Sequence, residues 1–387
     1  MSKTTQRRAE TKITDSLRLL RVSTRDEFST FEYEWDEMIL KSQTPSPFMS
    51  WDYLDVWWSV YGEIGYDVHL YIARDDEGTL IGAVPLMVTQ RGAFSGARGK
   101  FQHLAFMGGA GEMLGESLEL PALPGYEEKI GRAASKIILE TLRNKWEALY
   151  FYLVPEQSIS THAMLRRLKE EGVPIQQTHS LTSPYLRTDQ SSWDDFLAGK
   201  SKSFRKNVRY NESSATRKFG MKRIKAGIDI SITNGVKQLA RLSLARWGKQ
   251  AQAFHTPEFI EFHHQLAPRF ARKNQLSFSL MELDGKIAGG LYDFIFNGKM
   301  WGYQAPWDAD FSKASPGFLL NVWSIRDSFE NGLREFDTLP GEDSGYKQGW
   351  TDNQHKLNIY EAACPENIGG ALFTIARGID RMFSKKD

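Results

Sequence analysis

The chain has 387 residues, of which 41% are hydrophobic and 25% are charged, a composition typical of an ordinary folded protein. This length exceeds what one hydrophobic core usually supports, so we expect two domains. Forty-nine basic and 48 acidic side chains leave a formal charge of +1, which gives no general electrostatic basis for binding nucleic acid or an anionic membrane. The single cysteine, Cys364, excludes an intrachain disulfide and a cysteine-rich zinc site.

The beginning of the chain is polar. Residues 1–18 are predicted to form a disordered tail and not a secretory signal, because they contain no apolar segment. No run of 18 apolar residues occurs anywhere, so we expect no membrane span and a cytoplasmic protein.

The N-terminal half, assigned to residues 19–185, alternates helical and strand patterns. Its predicted elements are helices at 26–40, 51–61 and 160–171, a hairpin at 68–88 with its turn at Asp75–Gly78, a strand near Lys100–Met107, a helix that follows Pro124-Gly125 and runs to about Lys145, and a strand at 148–154. The boundary is expected near Thr182–Asp189, with residues 183–186 as a bridging strand.

The C-terminal half, assigned to residues 186–387, shows a similar succession. Its predicted elements are a basic helix at 200–220, helices at 233–248 and 257–273, a hairpin at 277–296 with its turn at Asp284–Gly285, a strand at 299–306, a helix at 318–332, a strand at 334–339, a closing strand at 355–362 and a terminal helix from about 366.

The two halves repeat one another. Each hairpin is followed by a strand, an irregular stretch, a helix and another strand, and Gly82 and Gly289 occupy the same place in the two copies, 207 residues apart. This repeat predicts a tandem duplication of an α/β unit with a mixed sheet (α+β in character).

Three segments could bind ligands. The first is Ser315-Pro316-Gly317, which opens a helix directly after a strand, where unpaired backbone N–H groups suit a pyrophosphate. Its alternative is a plain helix start with Ser315 as N-cap. The second is Asp337 at the end of the strand at 334–339 with the Gly-rich loop that follows it, in which Asp343 stands near Lys347 and the lysine could neutralise phosphate or a developing oxyanion. Its alternative is a solvated charged loop.

The third segment is the basic helix. Arg205 and Arg209 stand at i and i+4, so both could face one anionic group, although a solvated charged face is the alternative.

No histidine spacing predicts a metal site. His263 and His264 are expected on the surface of a helix, and His355 is expected to be structural.

The motifs in these segments carry a resemblance. They are a basic S-x-R-K-N-x-R helix at Ser203–Arg209, S-P-G-x-L-L at Ser315–Leu320, and F-D-x-L-x-G-x-x-x-Y-K-x-x-W at Phe336–Trp350, preceded by openings at 34–39 and 46–58. At these residues the chain resembles the CelD-type proteins of the GNAT acyltransferase superfamily, named for cellulose biosynthesis, and more distantly the Fem-type peptidyltransferases.

The resemblance implies two tandem GNAT-like domains, with acetyl-CoA or another acyl-CoA held in the C-terminal one and no metal. It assigns the acyl-CoA to Ser315, Pro316, Gly317 and Phe318, the catalytic chemistry to Lys347, Asp337 and Asp343, and the acceptor to Arg205, Arg209, Tyr303 and Tyr346. The implied reaction is transfer of an acyl group, acetyl in the simplest case, to an amine or hydroxyl of a small molecule. A nucleotide sugar, another sugar or a related cell-envelope or polysaccharide precursor would fit. Nucleic acid is not an expected partner, and association with polysaccharide synthesis machinery is an implied option.

Two alternatives stay open at this point. One is a Fem-like transferase that takes its donor from aminoacyl-tRNA, against which Pro257 argues by interrupting the long helical hairpin of that group. The other is a catalytically silent accessory protein of polysaccharide biosynthesis.

Overall fold

A computed structural model gives the fold of residues 10–12, 17–90, 101–109, 115–248, 254–340 and 349–383. The chain divides into two compact units. The first contains residues 1–181 and 356–387, and the second contains residues 182–355.

The described residues form thirteen strands and eleven α-helices. The strands are β1 (Glu10–Lys12), β2 (Arg18–Val22), β3 (Tyr66–Arg74), β4 (Leu80–Thr89), β5 (His103–Phe106), β6 (Ala148–Pro155), β7 (Gln176–Arg187), β8 (Lys222–Lys225), β9 (Leu276–Leu283), β10 (Lys286–Phe296), β11 (Lys299–Gln304), β12 (Glu335–Asp337) and β13 (Gln354–Ala363). The helices are α1 (Arg25–Ser29), α2 (Glu32–Lys41), α3 (Trp51–Tyr61), α4 (Glu127–Lys136), α5 (Ile159–Glu170), α6 (Trp193–Gly199), α7 (Lys202–Phe219), α8 (Ile232–Trp247), α9 (Pro257–Arg272), α10 (Pro316–Glu330) and α11 (Ile368–Phe383). None of these helices is both long and apolar enough to cross a membrane.

The first unit contains a mixed sheet. Strands β2, β3, β4 and β5 pair antiparallel in sequence order, β6 lies parallel to β5, and β13 closes the sheet antiparallel to β6. Large aromatic side chains fill the core, including the fully buried indoles of Trp35, Trp57 and Trp146.

The second unit repeats this arrangement. Strands β8, β9, β10 and β11 pair antiparallel, β12 lies parallel to β11, and residues 185–187 of β7 pair antiparallel with β12. Helix α10 packs its apolar side on this sheet through Leu319, Leu320, Val322 and Ile325, all of which are fully buried. The predicted mixed α/β fold in two similar units is therefore confirmed.

The repeat extends to individual hydrogen bonds. In the first unit Ala83 N donates to Pro121 O, and Leu123 N donates to Ile81 O. In the second unit Gly290 N donates to Pro306 O, and Asp308 N donates to Ala288 O. The strand residues in these pairs differ by 207 in each case, which is the offset between the two predicted hairpins.

Local sequence explains the second hairpin and the end of α10. Asp284 and Gly285 both have positive φ, 49° and 72°, which is the conformation that a two-residue hairpin turn needs. Gly332 follows α10 with φ of 63°, and the N–H of Leu333 reaches the carbonyl of Ser328 at 3.0 Å. This bond is typical of a glycine-terminated helix, as the sequence predicts.

Several elements differ from the prediction. Residues 1–18 were expected to be a disordered tail, but Glu10–Lys12 forms β1, because it pairs antiparallel with β2. The single helix expected at 26–40 is two helices, because the chain turns at Thr30 and Phe31 so that Phe28 and Phe31 are both buried. Helix α6 and strands β2 and β8 were not predicted, because they are short: α6 has seven residues, β2 has five and β8 has four.

The expected C-terminal domain of residues 186–387 also differs from the observed division. Residues 356–387 belong to the first unit, because β13 pairs with β6 and the N–H of Cys364 donates to the carbonyl of Glu147 at 2.9 Å. In the same unit Phe373 of α11 meets the ring of Phe101 edge-on, at a centroid distance of 5.4 Å.

Candidate functional site

The parallel pair of the second unit ends abruptly. Registered pairing between β11 and β12 stops at Trp301 and Asp337, while β11 continues to Gln304. Beyond β12, the N–H of Thr338 donates to the carbonyl of Pro184 at 3.0 Å, so this segment follows β7 and not β11. The two parallel strands therefore part at this point, at the carboxyl edge where α/β sheets place ligands.

Helix α10 begins directly after β11 and a short 3-10 turn. Ser315 has a left-handed backbone, with φ of 55° and ψ of 47°, and its carbonyl accepts the N–H of Leu319 at 3.1 Å. Since Pro316 has no N–H, the first donors that helix geometry leaves without an intrahelical partner are those of Gly317 and Phe318. The first turn contains no acidic residue. This helix start is therefore suited to an anion.

The side chains at this turn differ from expectation in two ways. Gly317 was expected to admit a ligand, but a Cβ there would lie 2.7 Å from Nε1 of Trp307, so the glycine serves close packing of that indole. Phe318 stacks on Trp350 at a centroid distance of 5.7 Å and is partly buried in the core. Ser315 makes no capping bond through its side chain, so the alternative of a side-chain N-cap is not observed.

The corresponding helix start in the first unit has a different charge. Glu127 and Glu128 lie in the first turn of α4, and the Glu127 carboxylate accepts the N–H of Gly125 at 2.7 Å. A carboxylate of the chain itself thus occupies the place of an anion there.

A cluster of titratable side chains lies at the end of β12. His355 Nε2 is 2.9 Å from Glu335 Oε1 and 3.9 Å from Asp337 Oδ2, and Lys299 Nζ donates to the same Glu335 oxygen at 2.9 Å. One ligand atom from each of Glu335, Asp337 and His355 lies within 4.8 Å of the others, as a metal site requires. Because Glu335 already accepts from a lysine and a histidine, we interpret the cluster as an ion-pair network.

Asp337 is buried, with 3% of its surface exposed. Its Oδ1 accepts the Leu339 N–H at 2.8 Å and the hydroxyl of Ser183. Burial raises the pKa of this carboxyl, although His355 and the Ser183 hydrogen bond act in the opposite direction. The structure therefore brings Asp337 to the predicted edge of the sheet but gives its carboxyl protein partners.

The two arginines of α7 are in different situations. Arg205 Nη1 donates to the carbonyls of Ala198 at 2.9 Å and Lys200 at 2.5 Å, so its guanidinium caps the end of α6. Arg209 is exposed. The pair does not form one anion clamp, and an acceptor-binding role for either residue stays a prediction.

Arg205→Ala should therefore destabilise the protein by roughly 1–2 kcal/mol, because the carbonyls at the end of α6 lose a charged donor. Arg209→Ala should change stability by no more than about 0.5 kcal/mol. Thermal melting of both variants beside the wild type checks this difference. Equal melting temperatures for the two variants would contradict the capping role.

Tyr303 lies within an aromatic cluster of the second unit and is 8% exposed. Its ring stacks on Phe294 at 4.7 Å and lies 5.5 Å from His263.

His263 was expected at the surface, but it is fully buried and its Nδ1 lies 3.1 Å from the Tyr292 hydroxyl. Burial lowers the pKa of His263 to about 3. The surface assignment was wrong because the apolar side of α9 includes this position.

Asp293 was missed by the sequence reading. It is 1% exposed on β10, at an irregularity in the pairing with β11, and its Oδ2 accepts the Ser324 hydroxyl at 2.6 Å. Its Oδ1 has no hydrogen-bond partner among the described residues. Burial raises the pKa of this carboxyl to about 8. The sequence signal that could have identified this buried carboxyl is a single acidic residue inside an otherwise apolar strand.

Three residues assigned from the sequence, Lys347, Asp343 and Tyr346, lie outside the described residues. Their assignments stay predictions.

Comparison with known proteins gives a family match for part of the chain. Residues 202–348 match the family model described as Acetyltransferase (GNAT) domain. No curated protein sequence matches the chain.

Solved structures resemble nearly the whole chain. FemX has a TM-score of 0.57 at 10% identity, over 89% of this chain and 98% of that one. A conserved protein of unknown function from Bacteroides thetaiotaomicron VPI-5482 has a TM-score of 0.51 at 11% identity, over 89% and 98%. A tandem GNAT protein from the clavulanic acid biosynthesis pathway has a TM-score of 0.50 at 12% identity, over 91% and 99%. At such identities the likeness shows the fold, and the segment that matches the GNAT domain model lies within the second unit.

Proposed function

We propose that this protein is an acyltransferase that moves an acyl group, acetyl in the simplest case, from acyl-CoA to an amine or hydroxyl of a small acceptor. The acceptor class proposed is a sugar, nucleotide sugar or related cell-envelope or polysaccharide precursor. The acceptor class rests on the CelD-type resemblance alone.

The observation that carries the proposal is the start of α10. It offers backbone donors with no acidic residue in the first turn, it follows the strand at which the parallel pair parts, and it lies inside the segment that matches the GNAT domain. In the first unit the equivalent helix start holds Glu127 and Glu128, which would repel a pyrophosphate. We therefore assign the acyl-CoA to the second unit.

The proposed reaction is direct attack of the acceptor on the thioester carbonyl, with no covalent enzyme intermediate. Holding the two substrates in alignment could supply roughly 7–11 kcal/mol of the acceleration at the upper end. Lys347 is proposed to stabilise the oxyanion, and Asp337 or Asp343 to assist proton removal. Arg205, Arg209, Tyr303 and Tyr346 remain proposed acceptor contacts.

A charge placed at the helix start tests the acyl-CoA site. Ser315→Asp should weaken acetyl-CoA binding about tenfold or more, because a carboxylate would compete with the pyrophosphate and repel it. Ser315→Asn is the matched control, since asparagine tolerates the left-handed backbone of this position without adding charge. Titration calorimetry with acetyl-CoA on both variants and the wild type gives the three dissociation constants.

Equal affinity of the aspartate and asparagine variants would place the pyrophosphate elsewhere. Absence of acetyl-CoA binding by the wild type would remove the proposed function itself and favour the silent accessory protein.

The Fem-like alternative keeps the fold and changes the donor. The likeness to FemX favours it, but α8 and α9 are separate 16-residue helices, the second beginning at Pro257. A label-transfer assay with charged tRNA in place of acetyl-CoA distinguishes the two donors.

A further inference from the structure

Arg246 lies in the last turn of α8 and contacts two indole rings. Its guanidinium carbon lies 4.0 Å from the ring centroid of Trp307 and 5.1 Å from that of Trp247. Arg246 is half-buried, whereas Trp247 is 41% exposed. Contact with ring faces orients the planar guanidinium, whose N–H donors lie in its own plane. The side chain of Arg246 is therefore held in place, unlike that of a fully solvated arginine.

Trp307 connects this arginine with the start of α10. The backbone of Trp307 pairs with Gly289 of β10, so Trp307 continues the line of β11 beyond the point at which β12 leaves it. Its Nε1 lies 2.7 Å from the position that a Cβ of Gly317 would occupy. The same indole thus contacts the first turn of α10 and the guanidinium, so that one side chain separates the charge of Arg246 from Gly317.

The corresponding place in the first unit holds a residue that cannot orient an arginine. Gly82 corresponds to Gly289, and its bridge partner is Ala122 where the second unit has Trp307. A methyl group offers no ring face to a guanidinium. The helix start of the first unit is also the one that contains Glu127, whereas the first turn of α10 contains no acidic residue. Of the two helix starts, the one suited to an anion is therefore the one that has the indole and the arginine beside it.

We propose that Arg246 binds the diphosphate of acyl-CoA at the start of α10, and that Trp307 positions its guanidinium for this contact. The helix supplies backbone N–H donors and a partial positive charge, whereas an arginine supplies a full charge and two parallel donors that match phosphate oxygens. Because the plane of the guanidinium is already fixed, less conformational entropy is lost when it binds. This inference rests on the proposed function and deepens it by naming a donor-binding residue outside the α10 turn.

Two acyl donors that differ only in one phosphate test the assignment. Acetyl-CoA and acetyl-CoA without its 3′-phosphate both contain the diphosphate. Arg246→Met removes the charge but keeps a long side chain, and it should weaken binding of both donors by the same factor, about tenfold to a hundredfold. Arg246→Lys keeps the charge without the planar fork, so it should cause a smaller loss, again shared by both donors. Titration calorimetry gives the dissociation constants.

Lys237→Met is the matched control, because it removes an exposed charge from the same helix. It should leave both dissociation constants within about twofold of the wild type. Melting curves show whether each variant is folded. If the methionine variant is not, the lysine variant decides the question by the same criterion, a loss that both donors share.

Each other outcome overturns a stated part of the inference. A loss confined to acetyl-CoA would place Arg246 at the 3′-phosphate and overturn the diphosphate contact. Unchanged affinity in folded variants, or equal losses in the methionine and lysine variants, would show that the guanidinium only packs against the indoles. In these cases the wild type still binds acetyl-CoA, and the proposed function stands. A wild-type protein that does not bind acetyl-CoA would overturn the proposed function and this inference with it.

Discussion

Asp293→Asn should remove the loss of stability that this buried carboxyl causes in the second unit as the pH rises from about 4 to about 8. The pKa of the Asp293 carboxyl is raised from 3.8 to about 8 by burial. Between these values the folded chain holds a proton that the unfolded chain has released, so each pH unit lowers the free energy of unfolding by roughly 1.4 kcal/mol. By neutral pH the accumulated cost approaches about 4 kcal/mol as an upper limit. Above the folded pKa the slope vanishes.

Calorimetric melting across this pH range measures the slope. The wild-type melting temperature of the second unit should fall by roughly 3–6 °C per pH unit relative to the variant. Glu119 in the first unit, whose pKa is raised to about 7 by burial, contributes with the same sign, and Glu119→Gln serves as the comparison. A parallel pH dependence in wild type and Asp293→Asn would show that this carboxyl ionises in the folded protein as it does in water.

Lys347→Met should lower acyl transfer by about a hundredfold or more without changing the melting temperature. The reason is the loss of a charge proposed to face the oxyanion, where removal of one donor typically costs about 10²–10³ in rate. The sequence places this lysine ten residues beyond Asp337, in a Tyr-Lys pair that resembles the one implicated in Fem-type enzymes.

Steady-state turnover of acetyl-CoA measures the effect, and Lys286→Met, at the exposed turn of the β9–β10 hairpin, controls for loss of a surface charge. If the Lys347 variant retained wild-type turnover, the catalytic role would be rejected. Lys347 would then be interpreted as a surface lysine, whose ion pairs are worth at most ~1 kcal/mol of stability.

Local features of the fold were predictable from the sequence. The Asp284-Gly285 turn needs two residues that tolerate positive φ, and the sequence supplies both. Helix α10 carries its own start and stop signals in Pro316 and Gly332. Such features depend on neighbours in the chain, and a single sequence contains them.

The site was less predictable because its contacts are distant in sequence. His355 and Glu335 are 20 residues apart and meet across β7: β12 pairs with residues 185–187 of β7, and the N–H of Tyr185 donates to the carbonyl of Asn353. Trp307 fills the space over Gly317, and no spacing rule relates an indole to a glycine ten residues away. Arg205 and Arg209 share a face of α7, but only Arg205 donates hydrogen bonds to the end of α6. Side-chain competition of this kind is decided by three-dimensional packing.

The closing strand of the first unit has a consequence for biosynthesis. β6 ends at Pro155, and its antiparallel neighbour β13 begins only at Gln354. On the ribosome the edge of β6 therefore stays without this neighbour until residues 354–363 have emerged, whereas residues 182–355 are complete sooner. An uncovered strand edge invites pairing with other nascent chains. The half that is made first is then the half that finishes folding last, a reversal of the usual vectorial order.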